Sequence, residues 1–465
     1  MYSKDAQKLL KGAKVGDELR LHTSEKEYSG ILMPHPDNGD ENCVVLKLSS
    51  GYNVGIDAGK ISRVDVLQKG KGIVVGSAAK KNAGGSTGKT SDAGKSAGSV
   101  FQSGEGKEFV SLLGCGGTIA SKVEYKTGAV YPASKPEEIM ESFPNISKIS
   151  NIRSRVLFQL LSEDMAPRHW SAIAGEVADE IKSGPQGVVL MHGTDTMGYT
   201  SAALSFMLQE LPMPVVLTGS QRSSDRPSSD ADVNVTGAML AAKSDIAQVM
   251  VCMHKGMSDD VCSLHSGVRV RKFHTSRRDA FASVNAKPVG EADVVKGEVR
   301  AFGEHRKRDM KRKLKLFEKV NENVALVWVY PGMDEKFVKK LGDFDGVVLA
   351  CTGIGHAPVN AFGTKDANSI LPALEKIMDA GTLVALAPQT IFGRINMDIY
   401  TTGRLLKKAG VIGDLCDWLP ETAYAKMCWA LGQERKKEKA AGLMMRNIAG
   451  EISERSAMDE RVEFG

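Results

Sequence analysis

Long apolar runs are absent from this sequence of 465 residues. No stretch approaches the roughly 18 apolar residues that a membrane-spanning helix needs. Residues 1–5 read Met-Tyr-Ser-Lys-Asp and lack the apolar core of a signal peptide. We therefore expect a cytoplasmic protein that does not associate with membranes.

Cysteine is also scarce, and neither sign of charge dominates. The seven cysteines are an odd number, and some, such as Cys252 and Cys351, lie within apolar runs. This pattern favours reduced, buried thiols over a disulfide framework. The net charge of +5 is too small to establish nucleic-acid binding. A hydrophobic fraction of 42% over this length allows two or three domains with separate cores.

The first 75 residues have the pattern of a small β-rich module. Turn-forming residues separate short β-like runs at 17–22, 28–33, 43–48 and 61–67. Several short strands with tight turns predict a small SH3-like β-barrel at 1–75. Two uses stay open for it: binding RNA or a protein partner, or acting as a rigid spacer.

Residues 76–107 are predicted to be a flexible linker. Glycine, serine and alanine supply 16 of the 24 residues at 76–99, a composition typical of linkers. Gly88-Lys89-Thr90 resembles the end of a phosphate-binding loop. However, Ala83 occupies the first glycine position of that motif, and no strand leads directly into it. We therefore reject a nucleotide-binding loop here.

From residue 108 onward, apolar strands alternate with amphipathic helices. In a domain at 108–300 we predict strands at 109–113, 156–161, 187–191, 214–218 and 247–253, with helices at 136–142, 167–183, 198–209 and 232–243. In a domain at 323–433 we predict strands at 324–329, 346–351 and 382–387, with helices at 334–341, 367–380 and 402–409. This alternation predicts a two-domain α/β body with parallel sheets covered on both faces.

Two charged segments complete the predicted organisation. A basic helical connector at 301–322 joins the two α/β domains, and a charged helical tail occupies 434–465. The connector is interpreted either as a solvated face or as a patch that faces tRNA. The tail is expected to pack on a subunit or to fray.

Two loops that each present a threonine follow strands of the first α/β domain. Gly116-Gly117-Thr118 comes directly after the strand at 109–113, and His192-Gly193-Thr194-Asp195 follows the strand at 187–191. Ligands of such sheets bind at the carboxyl ends of strands, so the two loops predict one site. A single glycine–threonine loop would more simply be a tight turn, whereas two in one α/β unit favour a site that attacks a carbonyl group.

The residue types fit nucleophilic attack on an amide. A threonine hydroxyl needs a proton acceptor nearby to act as a nucleophile, and the candidate nucleophile is Thr118. Thr194 and Asp195 are adjacent, and Lys272 is the best candidate for a lysine beside them. That lysine could act as a neutral base or as a cation that polarises Thr194. Backbone N–H groups of the glycine-rich turns would activate the carbonyl group.

Several competing sites are set aside. The spacing of Cys252, His254, Cys262 and His265 does not match the usual zinc patterns, and Cys115 is better explained as a core thiol than as a nucleophile. Ile119 occupies the third glycine position of a dinucleotide-binding turn, which excludes that motif.

Residues 108–433 resemble the bacterial-type L-asparaginases and their glutaminase relatives. The resemblance rests on GGTIA at 116–120, LLSEDM at 160–165, HGTDTM at 192–197, LTGSQR at 217–222, SSDADVN at 228–234 and VRVRKFHTS at 268–276. It implies that Thr118 is the first catalytic threonine, that Tyr131 helps to activate it, and that Thr194, Asp195 and Lys272 are a second catalytic group. It further implies that Ser162 and Glu163 hold the substrate's α-amino and α-carboxyl groups, and that His192 is a structural residue of its turn. Glu163 departs from the glutamine that many members carry, which we interpret as tuning of the ammonium contact.

The β module and linker before residue 108 are not part of an ordinary asparaginase. With them, nearly the whole chain resembles the family of glutamine-hydrolysing D subunits of archaeal glutamyl-tRNA(Gln) amidotransferases. The resemblance implies that glutamine is hydrolysed through a threonine acyl-enzyme and that ammonia passes to a partner, the E subunit. The partner would hold ATP and magnesium and most of the contact with Glu-tRNA(Gln), in an assembly of two D and two E subunits; no cofactor or metal is expected in this chain. Two alternatives stay open: a free-standing cytoplasmic asparaginase or glutaminase, and a non-enzymatic binding protein on a decayed asparaginase fold.

Overall fold

The computed structural model describes residues 2–33, 40–48, 53–69, 101–103, 108–117, 119, 122–123, 130–131, 136–222 and 229–456. These residues form an N-terminal β module and an α/β body with two main sheets. Most of the predicted linker and Thr118 lie outside the described residues. Among the described helices, none is both long enough and apolar enough to cross a membrane.

The N-terminal module is a short helix and an antiparallel sheet. Its described elements are α1 (Lys4–Leu9), β1 (Glu18–Thr23), β2 (Glu27–Leu32), β3 (Cys43–Leu48), β4 (Asn53–Asp57) and β5 (Ile61–Gln68). The strand order is β4-β3-β2-β1-β5, and alternate residues such as Leu19 and Leu21 fill the core. Four of these strands were predicted from the sequence, whereas α1 and β4 were not. Closure of the sheet into an SH3-like barrel stays a prediction.

The first α/β domain is built on a nine-stranded sheet. The elements in this part of the chain are β6 (Phe101–Ser103), β7 (Phe109–Gly114), β8 (Lys122–Val123), β9 (Val130–Tyr131), α2 (Pro136–Ser142), β10 (Asn151–Val156), α3 (Pro167–Lys182), β11 (Gly187–Met191), α4 (Met197–Met207), β12 (Leu208–Gln209), β13 (Val215–Thr218), α5 (Ala231–Lys243), β14 (Val249–His254), β15 (Val261–Ser266), β16 (Val270–Lys272), β17 (Phe281–Ser283), β18 (Gly290–Asp293) and β19 (Glu298–Ala301). The order of the nine strands is β19-β18-β15-β14-β13-β11-β7-β10-β6.

The sheet is mixed, which corrects the prediction of a parallel sheet. The five central strands, from β10 to β14, are parallel, and antiparallel strands flank them on both sides. Apolar residues of one strand alternate between two cores: Val188 and Leu190 face one, and Val189 and Met191 face the other. Helices α3 and α4 cover the first core and α5 covers the second, so the central strands are buried on both faces.

The second α/β domain contains a parallel three-stranded sheet of order β21-β22-β23. The remaining described elements are β20 (Lys315–Leu316), β21 (Val324–Trp328), α6 (Glu335–Lys340), β22 (Gly346–Cys351), α7 (Leu371–Asp379), β23 (Leu383–Pro388), α8 (Thr401–Lys408), α9 (Pro420–Gln433) and α10 (Lys437–Met445). Helix α9 packs on both α4 and the small sheet and so joins the two α/β domains.

The strand predicted at 156–161 is wrong. The sheet instead contains β10 at Asn151–Val156, where Arg153 and Arg155 interrupt the apolar pattern. This strand lies next to the edge strand β6, and only alternate residues, Ile152 and Ser154, are buried. The more apolar residues 157–161 leave the sheet, and the N–H of Gly117 donates to the carbonyl of Leu160 at 2.9 Å.

The predicted linker also ends too late. Residues 101–103 form β6, which pairs antiparallel with β10 at the edge of the large sheet. Three residues without a long apolar run carry too weak a local signal to be recognised as a strand. The chain is therefore attached to the body before residue 108.

The predicted helical connector is wrong as well, because 301–322 contains no helix. Its arginines bind backbone carbonyl groups of other segments: Arg308 donates to Gln186, Ala242 and Ser244, and Arg312 donates to Leu211. Strand β20 pairs with β12. These long-range contacts hold the basic run extended across the body, with most of its lysines exposed.

The described part of the tail packs on its own chain. Only Lys437–Met445 is helical, and the following residues lead to Glu451, which is fully buried. Glu451 pairs with the equally buried Lys426 of α9 at 2.5 Å, and Lys426 also donates to the carbonyls of Met444 and Arg446. Up to residue 456, the predicted helical tail is therefore helical only at Lys437–Met445, and a buried ion pair holds the segment that leads to Glu451.

Candidate active site

The two threonine loops start from neighbouring parallel strands. Strands β7 and β11 pair in register, and the N–H of Cys115 continues this pairing by donating to the carbonyl of Met191 at 2.8 Å. Beyond the strands, Gly117 has a φ of +82°, and a Cβ added there would lie 2.4 Å from the nitrogen of Gly193. Only glycine permits this backbone approach. The two loops therefore touch where their strands end.

Thr194, Asp195 and Lys272 form a hydrogen-bonded group beside this contact. The Nζ of Lys272 donates to Thr194 Oγ1 at 2.9 Å and to Asp195 Oδ1 at 2.8 Å. The side chain of Lys272 is only 15% exposed and that of Asp195 is 66% exposed, so the group reaches from the interior to the surface. Because Thr194 Oγ1 accepts from Lys272, the threonine hydrogen is free to be donated within the site.

Thr118 lies outside the described residues, between Gly117 and Ile119. The structure therefore does not test its distance from Lys272. The backbone of Tyr131 pairs with that of Lys122 in the short β8–β9 ribbon, and its side chain is not described. The predicted roles of Thr118 and Tyr131 stay predictions.

Ser162 and Glu163 lie on a third loop that meets the second. They begin a short 3-10 turn at Ser162–Asp164, in which Ser162 is buried and Glu163 is exposed. Thr196 Oγ1 donates to the carbonyl of Ser162 at 2.7 Å. A Cβ added at Gly193 would lie 2.8 Å from Ser162 Oγ. The predicted substrate-holding pair is thus fixed against the loop that carries Thr194 and Asp195.

His192 is buried and holds the backbone of the second loop through its ring nitrogens. Its Nδ1 lies 2.7 Å from the carbonyl oxygen of Gly193, which can only accept, so Nδ1 carries the hydrogen. Its Nε2 then accepts from Thr200 Oγ1 at 2.9 Å. Complete burial lowers the pKa of His192 to about 4, so the ring is neutral. This agrees with its interpretation as a structural residue.

The buried, neutral His192 predicts a pH dependence of stability. An unfolded chain binds its proton below about pH 6.5, whereas the folded chain resists protonation until about pH 4, so stability falls as the pH drops through this window. From pH 7 to pH 5 this one residue should lower the free energy of unfolding by about 2 kcal/mol. Denaturant unfolding of His192→Gln should show a decrease in unfolding free energy from pH 7 to pH 5 that is about 2 kcal/mol smaller than in the wild type. An equal decrease in the variant and the wild type would contradict the assignment of His192 as a buried, neutral residue.

Cys115 sits directly before the first loop but is not a candidate nucleophile. It is buried, and burial raises the pKa of its thiol to about 12. A thiol in that state is not ionised near neutral pH and is inert.

Two ion pairs next to Lys272 were not found from the sequence. Arg271 pairs with Glu421 of α9 at 2.8 Å, and burial raises the pKa of Glu421. Arg269 pairs with Asp417 at 3.1 Å, and both side chains are almost fully buried. These pairs tie the segment of Lys272 to the second α/β domain. No local signal reveals them, since the partners are about 150 residues apart.

The four cysteines and histidines at 252–265 do not all meet. Cys252 and Cys262 pack near Gly237 of α5 and, with His254, contact Asn234: Cys262 Sγ is 3.7 Å and His254 Nδ1 is 2.6 Å from Asn234 Oδ1. His265 lies apart, with Nδ1 2.8 Å from Ser283 Oγ. Within the described part of the chain, no group of three or more histidine, cysteine or acidic residues could hold a metal ion.

Family models match most of the chain. Residues 109–306 match the N-terminal asparaginase domain, residues 323–444 match the glutaminase/asparaginase C-terminal domain, and residues 13–67 match the GatD N-terminal domain. Among solved structures, the L-asparaginase of Thermococcus kodakarensis is similar, with a TM-score of 0.64 and 30% identity over 74% of this chain and 99% of its own. L-asparaginase I of Vibrio cholerae has a TM-score of 0.63 and 27% identity over 74% of this chain and 99% of its own.

Two relatives that match nearly end to end carry the same name. A protein of Pyrococcus abyssi, named as the D subunit of glutamyl-tRNA(Gln) amidotransferase, is 42% identical over 96% of each chain. The protein of that name from Methanothermobacter thermautotrophicus is 42% identical over 98% of each chain. Identity at this level over both α/β domains and the N-terminal module leaves no large part of the chain unmatched. The chain therefore belongs to the family of glutamyl-tRNA(Gln) amidotransferase D subunits, whose body has the asparaginase fold.

Proposed function

We propose that this chain is the glutamine-hydrolysing subunit of a tRNA-dependent amidotransferase. The observation that carries the proposal is the Lys272–Thr194–Asp195 group, which lies beside the loop of Thr118 in a chain that matches the D-subunit family end to end. In this role the chain releases ammonia from glutamine. A partner then uses the ammonia to convert Glu-tRNA(Gln) to Gln-tRNA(Gln).

The proposed hydrolysis has two steps. The hydroxyl of Thr118 attacks the side-chain amide carbon of glutamine; the C–N bond breaks, and ammonia leaves with the proton of the hydroxyl. Water then attacks the resulting ester, which releases glutamate and restores the hydroxyl. Backbone N–H groups of the glycine turn would stabilise the charge that develops on the carbonyl oxygen in both steps.

The remaining residues orient the substrate and move protons. Ser162 and Glu163 would hold the α-carboxyl and α-amino groups of glutamine, with the acidic Glu163 suited to the ammonium group. Tyr131 would assist the hydroxyl of Thr118. Lys272 donates to both Thr194 and Asp195, an arrangement that favours its role as the cation that polarises Thr194.

The partner would supply the ATP-dependent step. In this proposal, the E subunit holds ATP and magnesium, activates the glutamate carboxylate on the tRNA and makes most of the tRNA contacts. This chain needs no cofactor of its own. Two copies of each subunit would form the assembly, and the complex would work in the cytoplasm.

Coupling to the partner gives the experiment that tests the function. Free ammonia would be wasted, so glutamine hydrolysis by this chain alone should be slow and should rise by about 10-fold or more when the E subunit and Glu-tRNA(Gln) are added. The measurement is glutamate release with each component added in turn, and uncharged tRNA is the matched control. If the isolated chain hydrolyses glutamine as fast as it does with the E subunit and Glu-tRNA(Gln), its activity is not coupled to the partner.

The similarity to solved L-asparaginases supports a second candidate, a free-standing asparaginase or glutaminase. Such an enzyme would use asparagine or glutamine without regard to tRNA. Amidation of Glu-tRNA(Gln) with glutamine as the nitrogen donor separates the two functions. An amidotransferase subunit should support this amidation in the presence of the E subunit, and a free-standing enzyme should not.

A further inference from the structure

A buried polar chain that the proposed mechanism does not use begins at His254. This histidine ends β14, and its side chain is fully buried. Its Nδ1 lies 2.6 Å from Oδ1 of the equally buried Asn234 on α5. The amide nitrogen of Asn234 donates to the carbonyl of Gly219 at 2.9 Å, which fixes the orientation of the amide. Oδ1 of Asn234 must therefore accept, and Nδ1 of His254 must donate.

The polar chain continues from Asn234 to the loop after β13. Asn234 Nδ2 also donates to Asp230 Oδ2 at 3.0 Å. The buried carboxylate of Asp230 in turn accepts from the backbone N–H groups of Gln221 and Arg222 at 2.9–3.0 Å. Asp230 and Asn234 thus hold the backbone at 219–222 at both ends.

The segment 219–222 touches the catalytic loop directly. A Cβ added at Gly219 would lie 2.5 Å from the carbonyl oxygen of His192 and 2.9 Å from Cγ2 of Thr194. There is no free space between the two backbones at this point. A displacement of 219–222 toward this loop would therefore push Thr194 out of its place beside Lys272.

The other ring nitrogen of His254 faces Asp259. His254 Nε2 lies 3.3 Å from Asp259 Oδ1, and Arg278 Nη1 donates to the same oxygen at 2.6 Å. Arg278 lies only six residues after Lys272, in the turn that connects β16 and β17. With Nδ1 of His254 as the donor to Asn234, a bond from Nε2 to Asp259 would need a second ring proton, and the donor to this carboxylate is Arg278. The connection of His254 to the site therefore runs through Asn234.

We propose that His254 is a positioning residue of the glutaminase site. Through Asn234 and Asp230 it holds the 219–222 backbone against Thr194. The reaction assigned to the site rests on the proposed function, whereas the positioning role requires only that the site hydrolyses an amide. Loss of His254 should misplace the catalytic group without removing any atom that binds the substrate.

Two buried histidines on adjacent strands allow a matched test. His254→Phe removes the hydrogen-bonding ring of the proposed positioning residue. His265→Phe makes the same change on β15, where His265 is only 2% exposed and bonds Ser283 instead. In the complex with the E subunit, His254→Phe should lower kcat for glutamine about 100-fold with little change in KM, because a misplacement of about 1 Å has an effect of that size. His265→Phe should leave kcat within about 3-fold of the wild type while costing similar thermal stability.

Two polar replacements keep the test decisive if His254→Phe does not fold. The amide nitrogen of asparagine is as many bonds from Cβ as Nδ1, whereas that of glutamine corresponds to Nε2. His254→Asn should therefore restore the bond to Asn234 and most of kcat, and His254→Gln should not. Equal kcat for these two variants, or equal losses in His254→Phe and His265→Phe, would overturn the positioning role.

Failure of the proposed function would look different. A wild-type chain that hydrolyses asparagine but not glutamine would refute the glutaminase assignment, and the four variants would then be compared with asparagine as substrate. The positioning role of His254 still requires a lower kcat in His254→Phe than in His265→Phe, and a lower kcat in His254→Gln than in His254→Asn.

Discussion

Replacing Thr118 with alanine should abolish glutamine-dependent amidation of Glu-tRNA(Gln) and spare amidation supplied with free ammonium. The variant keeps the partner's chemistry and removes only the hydroxyl that forms the acyl-enzyme. Loss of a nucleophile costs at least about 10⁴-fold in rate, so the glutamine reaction should fall below detection. The measurement is the rate of Gln-tRNA(Gln) formation by the reconstituted complex with each nitrogen donor.

Thr118→Ser is the matched control for this prediction. Serine keeps a hydroxyl at the same position and loses one methyl group, so it should retain a measurable part of the glutamine reaction. Activity with ammonium reports in the same samples whether the complex has assembled. If Thr118→Ala loses both reactions, the residue is needed for assembly; if it keeps both, Thr118 is not the nucleophile.

The second large effect is expected at Lys272. Lys272→Met removes the charge and both hydrogen bonds from a side chain that links Thr194 and Asp195 at 2.9 and 2.8 Å. We expect kcat for glutamine hydrolysis to fall by about 10²–10⁴-fold, the range for loss of a group that moves or directs a proton. Because the three residues act as a unit, Thr194→Val combined with Lys272→Met should be little worse than the more severe single change.

A surface pair provides the control for this prediction. Lys182 and Asp179 are 2.7 Å apart on α3, and both are largely exposed. Lys182→Met breaks an ion pair of similar length, 2.7 Å against 2.8 Å, on a helix that carries neither loop, and should leave kcat unchanged. Additive losses in the Thr194–Lys272 double variant would mean that the two side chains contribute independently, contrary to the geometry.

The fold was predictable where local pattern determines the element. The apolar runs of β3, β11 and β22 have the predicted bounds because continuous apolar residues between turns mark buried strands. The prediction of secondary structure failed where contacts with distant segments determine the conformation of the backbone. Strand β10 carries two arginines, and β6 has only three residues. The basic run at 304–320 is extended because Arg308 and Arg312 bind carbonyl groups of distant segments, which its charge pattern does not reveal.

The site was predictable to the extent that it lies in motifs. Thr194, Asp195 and Lys272 were named from the sequence, and the structure brings them within hydrogen-bonding distance. Their supports were not found, because each joins distant segments: Arg271 with Glu421, for example, is a contact over 150 residues of chain. A polar residue that is buried and satisfied has no local signature that distinguishes it from an exposed one.

The most direct measurement is to identify the residue that becomes covalently attached to a substrate analogue. A glutamine analogue with an electrophilic diazoketone in place of the side-chain amide alkylates the nucleophile, and peptide mass spectrometry locates the adduct. Two touching loops on neighbouring strands predict modification at Thr118, at a rate that falls sharply in Lys272→Met. Modification at Thr194 or Cys115, or an unchanged rate in Lys272→Met, would contradict a single site built from both loops.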